Sequence, residues 1–128
     1  MGMNPEVKAK WLAALRSGEY TKQEGSLFAK AGDYGYGVVL EKDCYCALGV
    51  LAEEAAKEGV VTVDETATGN DRFGEIPDYR LLPEPVADWA EFGNYEDAEA
   101  EVAKLNDRGL DSHKSTFEDV ANWVEENL

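Results

Sequence analysis

The chain has 128 residues, enough for one domain, and its 44% hydrophobic and 10% aromatic content supports a packed core and excludes wholesale disorder. Twenty-seven Asp and Glu against 12 Lys and Arg leave a formal net charge of −15, which argues against a general DNA-, RNA- or anionic-membrane-binding surface, because phosphates need cations opposite them. With no run of roughly 18 apolar residues and no charged-then-apolar leader, the expected protein is soluble and intracellular, with no membrane contact.

Asn4-Pro5 opens the first element: Asn is a strong N-cap and Pro suits the first helical position. Val7, Trp11, Leu12 and Leu15 follow at helical spacing and Gly18 stands at the end, which predicts a helix over 5–17. Residues 19–30 carry no helical stripe, and Tyr20, Thr21, Leu27 and Phe28 suit an extended run. A glycine-rich turn at 31–37 and a second extended run at 38–46 complete an expected antiparallel hairpin. Residues 46–58 predict a second helix, with Leu48, Leu51, Ala52 and Ala55 inward, Glu53, Glu54, Lys57 and Glu58 in water, and Gly59 as its stop.

Val60, Val61 and Val63 read as a short strand. Residues 64–80 show no period and predict a long loop, with an extended piece near 73–76 as the alternative; loops of this length in small domains usually carry function or move. Pro83 introduces a helix over about 84–91, faced by Val86, Trp89 and Ala90. Another spans about 95–106, with Ala98, Val102 and Leu105 inward and Glu96, Asp97 and Glu99 suiting its positive end. The last starts near Ser115 or Thr116, where Ser115-x-x-Glu118 has a capping-box pattern, and buries Phe117, Val120, Ala121 and Val124. The expected fold is α+β: a small antiparallel β-hairpin or sheet packed with about five short helices, the C-terminal half mostly helical.

Cys44, Cys46 and His113 are the whole stock of Cys and His. Two cysteines one residue apart restrain little chain as a disulfide, so a reducing cytoplasm is expected. A zinc site would need Cys44, Cys46, His113 and a carboxylate together; no metal and no cofactor is expected. Cys46, at a strand-to-helix junction, is the best nucleophile candidate, because a helix N-terminus lowers a thiol pKa and offers N–H donors; His113 is the only imidazole available as its base. The paired carboxylates read as solvated helix faces, while Asp64-Glu65 and Asn70-Asp71 in the long loop are candidates for a divalent cation without the EF-hand pattern.

Residues 1–40 hold five basic and four acidic residues, against seven and 23 in the remainder. In this locally basic third, Arg16, Lys22 and Lys30 suit phosphates, and Tyr20, Tyr34 and Tyr36 suit stacking on a base, so these six form the candidate ligand site. The site requires its cations to converge on one recess, and a homo-oligomer would bring cations of two chains to one ligand. The last helix, residues 116–128, has no Lys or Arg and four acids, which excludes it as a DNA-reading helix.

Several blocks taken together resemble a known family: PEVKAKWLAALRSGEY at 5–20, Gly25-Ser-Leu27, CYCALGVL at 44–51, Leu82-Pro83 with VADWA at 86–90, LNDRG at 105–109 and FEDVANWVE at 117–125. Their order and spacing resemble small accessory proteins of unknown function encoded by tailed bacteriophages. The resemblance covers most of the chain and supplies no catalytic residues. It implies a protein acting in the cytoplasm of an infected bacterial host by stoichiometric binding. The leading expectation is counter-defence or host takeover by sequestering a small anionic, nucleotide-type signal. The alternatives are an acidic DNA mimic that inhibits a host DNA-binding protein, and a cysteine hydrolase using Cys46.

Overall fold

The computed structural model describes residues 3–23, 27–32, 34–35, 38–67, 69–77, 81–92, 96–108 and 116–128. Five helices carry the architecture: α1 (Pro5–Arg16), α2 (Ala47–Lys57), α3 (Glu84–Trp89), α4 (Glu96–Arg108) and α5 (Phe117–Asn127). The Asn4 side chain caps α1 by accepting from the N–H groups of Glu6 and Val7 at 2.9 and 3.3 Å. Its backbone N–H donates to Ala90 O (2.9 Å), and that of Met3 to Leu128 O (3.2 Å), so the start of the fold is tied to the ends of α3 and α5. Gly18 and Gly59 follow α1 and α2 at φ values of 78° and 79°, a left-handed conformation that favours glycine.

The helix α2 is central. It packs against α1, α3 and α4, and it buries every residue from Ala47 to Glu53 together with Ala55. A helix apolar on one face alone could not serve this position; Val50 and Leu51, adjacent in sequence, are both fully buried. Gly49 permits the closest contact, because a Cβ built there would lie 1.8 Å from the carbonyl oxygen of Leu27. Trp11 crosses from α1 and donates its indole N–H to Ala47 O at 2.9 Å, while its ring meets Phe92 edge-on at 6.1 Å. Buried residues from Met3 to Val124 join in one core.

The sheet differs from a simple hairpin. The first extended run splits into β1 (Thr21–Lys22) and β2 (Phe28–Ala29), and both flank β5 (Cys44–Tyr45) in the order β1-β5-β2. β1 runs parallel to β5, with Thr21 opposite Cys44, whereas β2 runs antiparallel, with Phe28 opposite Tyr45. The sheet is therefore mixed. A separate two-residue ribbon pairs β3 (Tyr34–Gly35) with β4 (Val38–Val39). Val60, Val61 and Val63 form no strand; they lie half-buried against the core. The long loop contains a short 3-10 helix, Asn70–Phe73, and no extended strand at 73–76.

Two carboxylates expected at the surface lie inside. Glu99 on α4 is fully buried and its Oε1 accepts from the backbone N–H groups of Leu81 (3.1 Å) and Leu82 (3.0 Å), which fixes the entry to α3. Glu53 on α2 accepts at Oε1 from Tyr45 Oη (2.9 Å) and from Arg72 Nε and Nη2 (3.3 and 3.0 Å). The Arg72 guanidinium lies 4.3 Å from the centre of the Phe28 ring, so one side chain binds the 3-10 helix to both α2 and β2. The α5 cap is one residue later than its pattern indicated: Thr116 Oγ1 accepts from Asp119 N–H, and the Asp119 carboxylate accepts from Thr116 N–H. Among the described residues, no helix is long and apolar enough to cross a membrane.

Candidate functional site

The candidate cations serve three separate parts of the fold. Arg16 donates to Glu118 (2.8 Å), Asn122 (3.0 Å) and Glu125 (3.4 Å), clamping α1 to α5. Lys22 donates to the carbonyl of Asn106 on α4 at 2.6 Å. Lys30 donates to the carbonyl of Glu65 at 2.9 Å. Tyr20 turns toward α2, where its hydroxyl donates to Glu54 Oε2 (2.6 Å) and accepts from Lys57 (2.9 Å). Tyr34 belongs to β3 by its backbone, while Tyr36 and His113 lie outside the described residues. The three cations are thus engaged by different partners, on α5, on α4 and at Glu65.

Burial and the Glu54 hydrogen bond push the Tyr20 hydroxyl up to about 12, and burial together with the Glu53 hydrogen bond raises Tyr45 further. Both hydroxyls titrate near 10 in the unfolded chain. The native state then holds protons that the unfolded state has lost, so stability is complete below about pH 10 and declines as pH rises toward 12. We expect the denaturation midpoint to fall over this interval. The Tyr20→Phe variant should show a smaller fall, and an identical fall in that variant would contradict the assignment.

Cys46 occupies the predicted strand-to-helix junction and is the N-cap of α2, its sulfur accepting from Gly49 N–H at 3.4 Å. Cys46 is buried, at 4% exposure, and burial pushes its thiol up to about 11 despite the helix N-terminus, which disfavours the nucleophile expected there. Cys44 is buried as well, and its Sγ donates to Lys42 O at 3.3 Å. Neither thiol is in a disulfide. Iodoacetamide at pH 7 should label Cys46 slowly in the native protein and rapidly after unfolding; rapid native labelling would contradict this environment. Among the described residues, no three His, Cys, Asp or Glu side chains gather as a metal-ligand set. Asp64 instead closes a local turn, accepting from Thr66 Oγ1 and N–H at 2.7 and 3.0 Å, which holds its carboxyl below the usual range.

The concave feature lies elsewhere. A recess of about 440 Å³ opens between the N-terminus of α2, the C-terminal half of α4 and the segment that follows the 3-10 helix. Its apolar walls include Leu27, Leu48, Ile76 and Leu81, and Cys46 also faces it. Asn70, Asp71, Glu75 and Asp107 supply polar groups, and no Lys or Arg lines it among the described residues. A second, shallower recess of about 610 Å³ lies across segment 74–77, walled by Val60, Phe73 and Pro83.

Two asparagines build the first recess. Asn106 is 1% exposed: its Oδ1 accepts from Ala47 N–H (3.0 Å), and its Nδ2 donates to Gln23 O (2.9 Å) and Asp107 Oδ1 (3.0 Å). It joins α4 to the start of α2 and the end of β1. Asn70 Oδ1 accepts from Leu27 N–H at 2.7 Å, which sets the 3-10 helix against β2. The signal for this site was the length of loop 64–80, and of the two polar pairs singled out in it Asn70-Asp71 lines the recess. Asn106, Asp107 and Glu75 carried no signal, because they meet the others only through the tertiary fold.

Comparison with curated proteins and with solved structures finds no match. The family model described as "Domain of unknown function (DUF8296)" matches residues 3–128, and the chain belongs to that family.

Proposed function

We propose that this is a non-enzymatic, phage-type accessory protein that acts by stoichiometric binding, with the recess beside α2 and α4 as its ligand site. The carrying observation is the recess itself. Its volume of about 440 Å³ lies within the range of small-molecule pockets, and its apolar walls are interrupted by a few polar groups, the usual composition of such sites. Leu81, at 44% exposure the one exposed large apolar side chain among the described residues, stands on its lip. Catalysis is disfavoured by the raised pKa of Cys46, the only thiol that faces the cavity. The host setting, in the cytoplasm of an infected bacterium, rests on the sequence resemblance.

Sequestration of a small anionic nucleotide, by contrast, has its candidate cations occupied: Arg16 by α5, Lys22 by α4 and Lys30 by Glu65 O. The acidic DNA mimic keeps one supporting feature, the net charge of −15. The test is a thermal-shift screen of small molecules of positive, zero and negative charge, run on the native protein and on Ala103→Phe, which fills the recess from α4. Stabilisation by a subset of compounds, lost in Ala103→Phe, supports the reading. Stabilisation retained in that variant, or caused only by nucleotides, overturns it.

A further inference from the structure

Resting on the recess as the ligand site, we infer that segment 74–77 is a hinged strap that gates it, and that the swing of the strap joins the two recesses into one cleft. Gly74, Glu75 and Pro77 line both cavities, so this stretch of chain stands between them. The volumes of about 440 and 610 Å³ are those of the closed arrangement.

The chain before the strap is firmly held. Asn70 accepts from Leu27 N–H, Arg72 donates to Glu53 and lies on the Phe28 ring, Arg72 O accepts from Asp64 N–H, and Phe73 is fully buried. The strap is held far less. Gly74 N–H donates to Asp71 O at 3.2 Å, and beyond it Glu75, Ile76 and Pro77 make no hydrogen bond among the described residues. Ile76, half-buried against the core, is the apolar anchor of the segment. A stretch with one such anchor and no backbone hydrogen bonds opens at a lower free-energy cost than the elements around it. The change from held to unheld chain falls at Gly74, whose φ of 98° and ψ of −170° lie in a region that is essentially glycine-only. A Cβ built there meets nothing within 4 Å, so the glycine serves the backbone turn rather than a close contact, as a hinge requires.

The two thiols separate opening of the strap from loss of the sheet, because Cys46 faces the first recess and Cys44, on the central strand β5, lines neither. Iodoacetamide labelling at pH 7, resolved by fragmentation mass spectrometry, reads both. Where labelling is slow relative to reclosing, its rate follows the open fraction. Gly74→Ala strains the closed hinge without a clash and should speed Cys46 labelling at least about tenfold, with Cys44 unchanged. Ile76→Ala, which removes the anchor, should show the same selectivity. Equal acceleration of both thiols, or an unchanged Cys46 rate in both variants, overturns the strap and leaves the recess as a ligand site. A thermal-shift screen in which no compound stabilises the protein overturns the ligand site and the gating role together.

Discussion

Replacement of Gly49 by alanine should destabilise the protein by about 3 kcal/mol or more, a fall of roughly 10 °C in the melting temperature. Helix propensity alone gives the opposite sign, since Gly→Ala inside a helix ordinarily gains about 1 kcal/mol. The contact with Leu27 decides the outcome. An added Cβ would sit 1.8 Å from Leu27 O and 2.8 Å from its carbonyl carbon, both backbone atoms that no side-chain rotation can move. Relief requires α2 to move away from the sheet, which stretches the Cys46 N–H to Leu27 O hydrogen bond of 3.3 Å and opens the core around Leu48. Thermal denaturation followed by circular dichroism checks this. An unchanged or raised midpoint for Gly49→Ala would contradict the packing of α2 on β2.

The second large effect is expected at Arg72. Arg72→Ala should cost about 3–5 kcal/mol, because it leaves Glu53 a buried charge without its ion partner. The two side chains are only 14% and 12% exposed, so water replaces little of the lost interaction. Arg72→Lys should recover only part, since an ammonium cannot bring two nitrogens to Glu53 Oε1 while lying flat on the Phe28 ring. Arg72→Met combined with Glu53→Gln should recover most of the stability, because the pair is then removed without leaving a buried charge. Urea denaturation of the three variants gives the order: double variant most stable, Lys next, Ala least. A mild Ala variant, close to the parent, would show that Glu53 is solvated.

These two sites also mark how far the sequence could be read. The helices were legible from local chemistry: Asn4-Pro5 at the start of α1, Gly18 and Gly59 beyond their ends, and apolar residues at spacings of three and four. The acidic start of α5 was legible too, although its cap is Thr116 with Asp119, because two adjacent hydroxyl residues offer two registers. The sheet was harder. Its strands are two residues long, and β1 reaches β5 as a parallel neighbour, a pairing that no local pattern encodes. Val60, Val61 and Val63 have strand chemistry, but they contribute to the core without a ladder partner.

Charge was the least legible property. Glu53 and Glu99 look like solvated helix residues until Arg72, Tyr45 and the Leu81-Leu82 backbone are brought to them from elsewhere in the chain. Arg16, Lys22 and Lys30 look like a local group for the same reason. Their partners, on α5, at Asn106 and at Glu65, are 35 to 109 residues away in sequence. The recess draws on four separated segments, so only its long-loop wall and Cys46 had a signature in the sequence.

The binding account is tested most directly by mapping backbone amide shifts of isotopically labelled protein during titration with a small molecule that stabilises the native protein but not Ala103→Phe. The account predicts saturable shifts concentrated at Leu27, Leu48, Gly74, Ile76 and Asn106, the residues around the recess. Shifts centred instead on Arg16, Tyr20 and Lys30, or no saturable shifts at all, would contradict it.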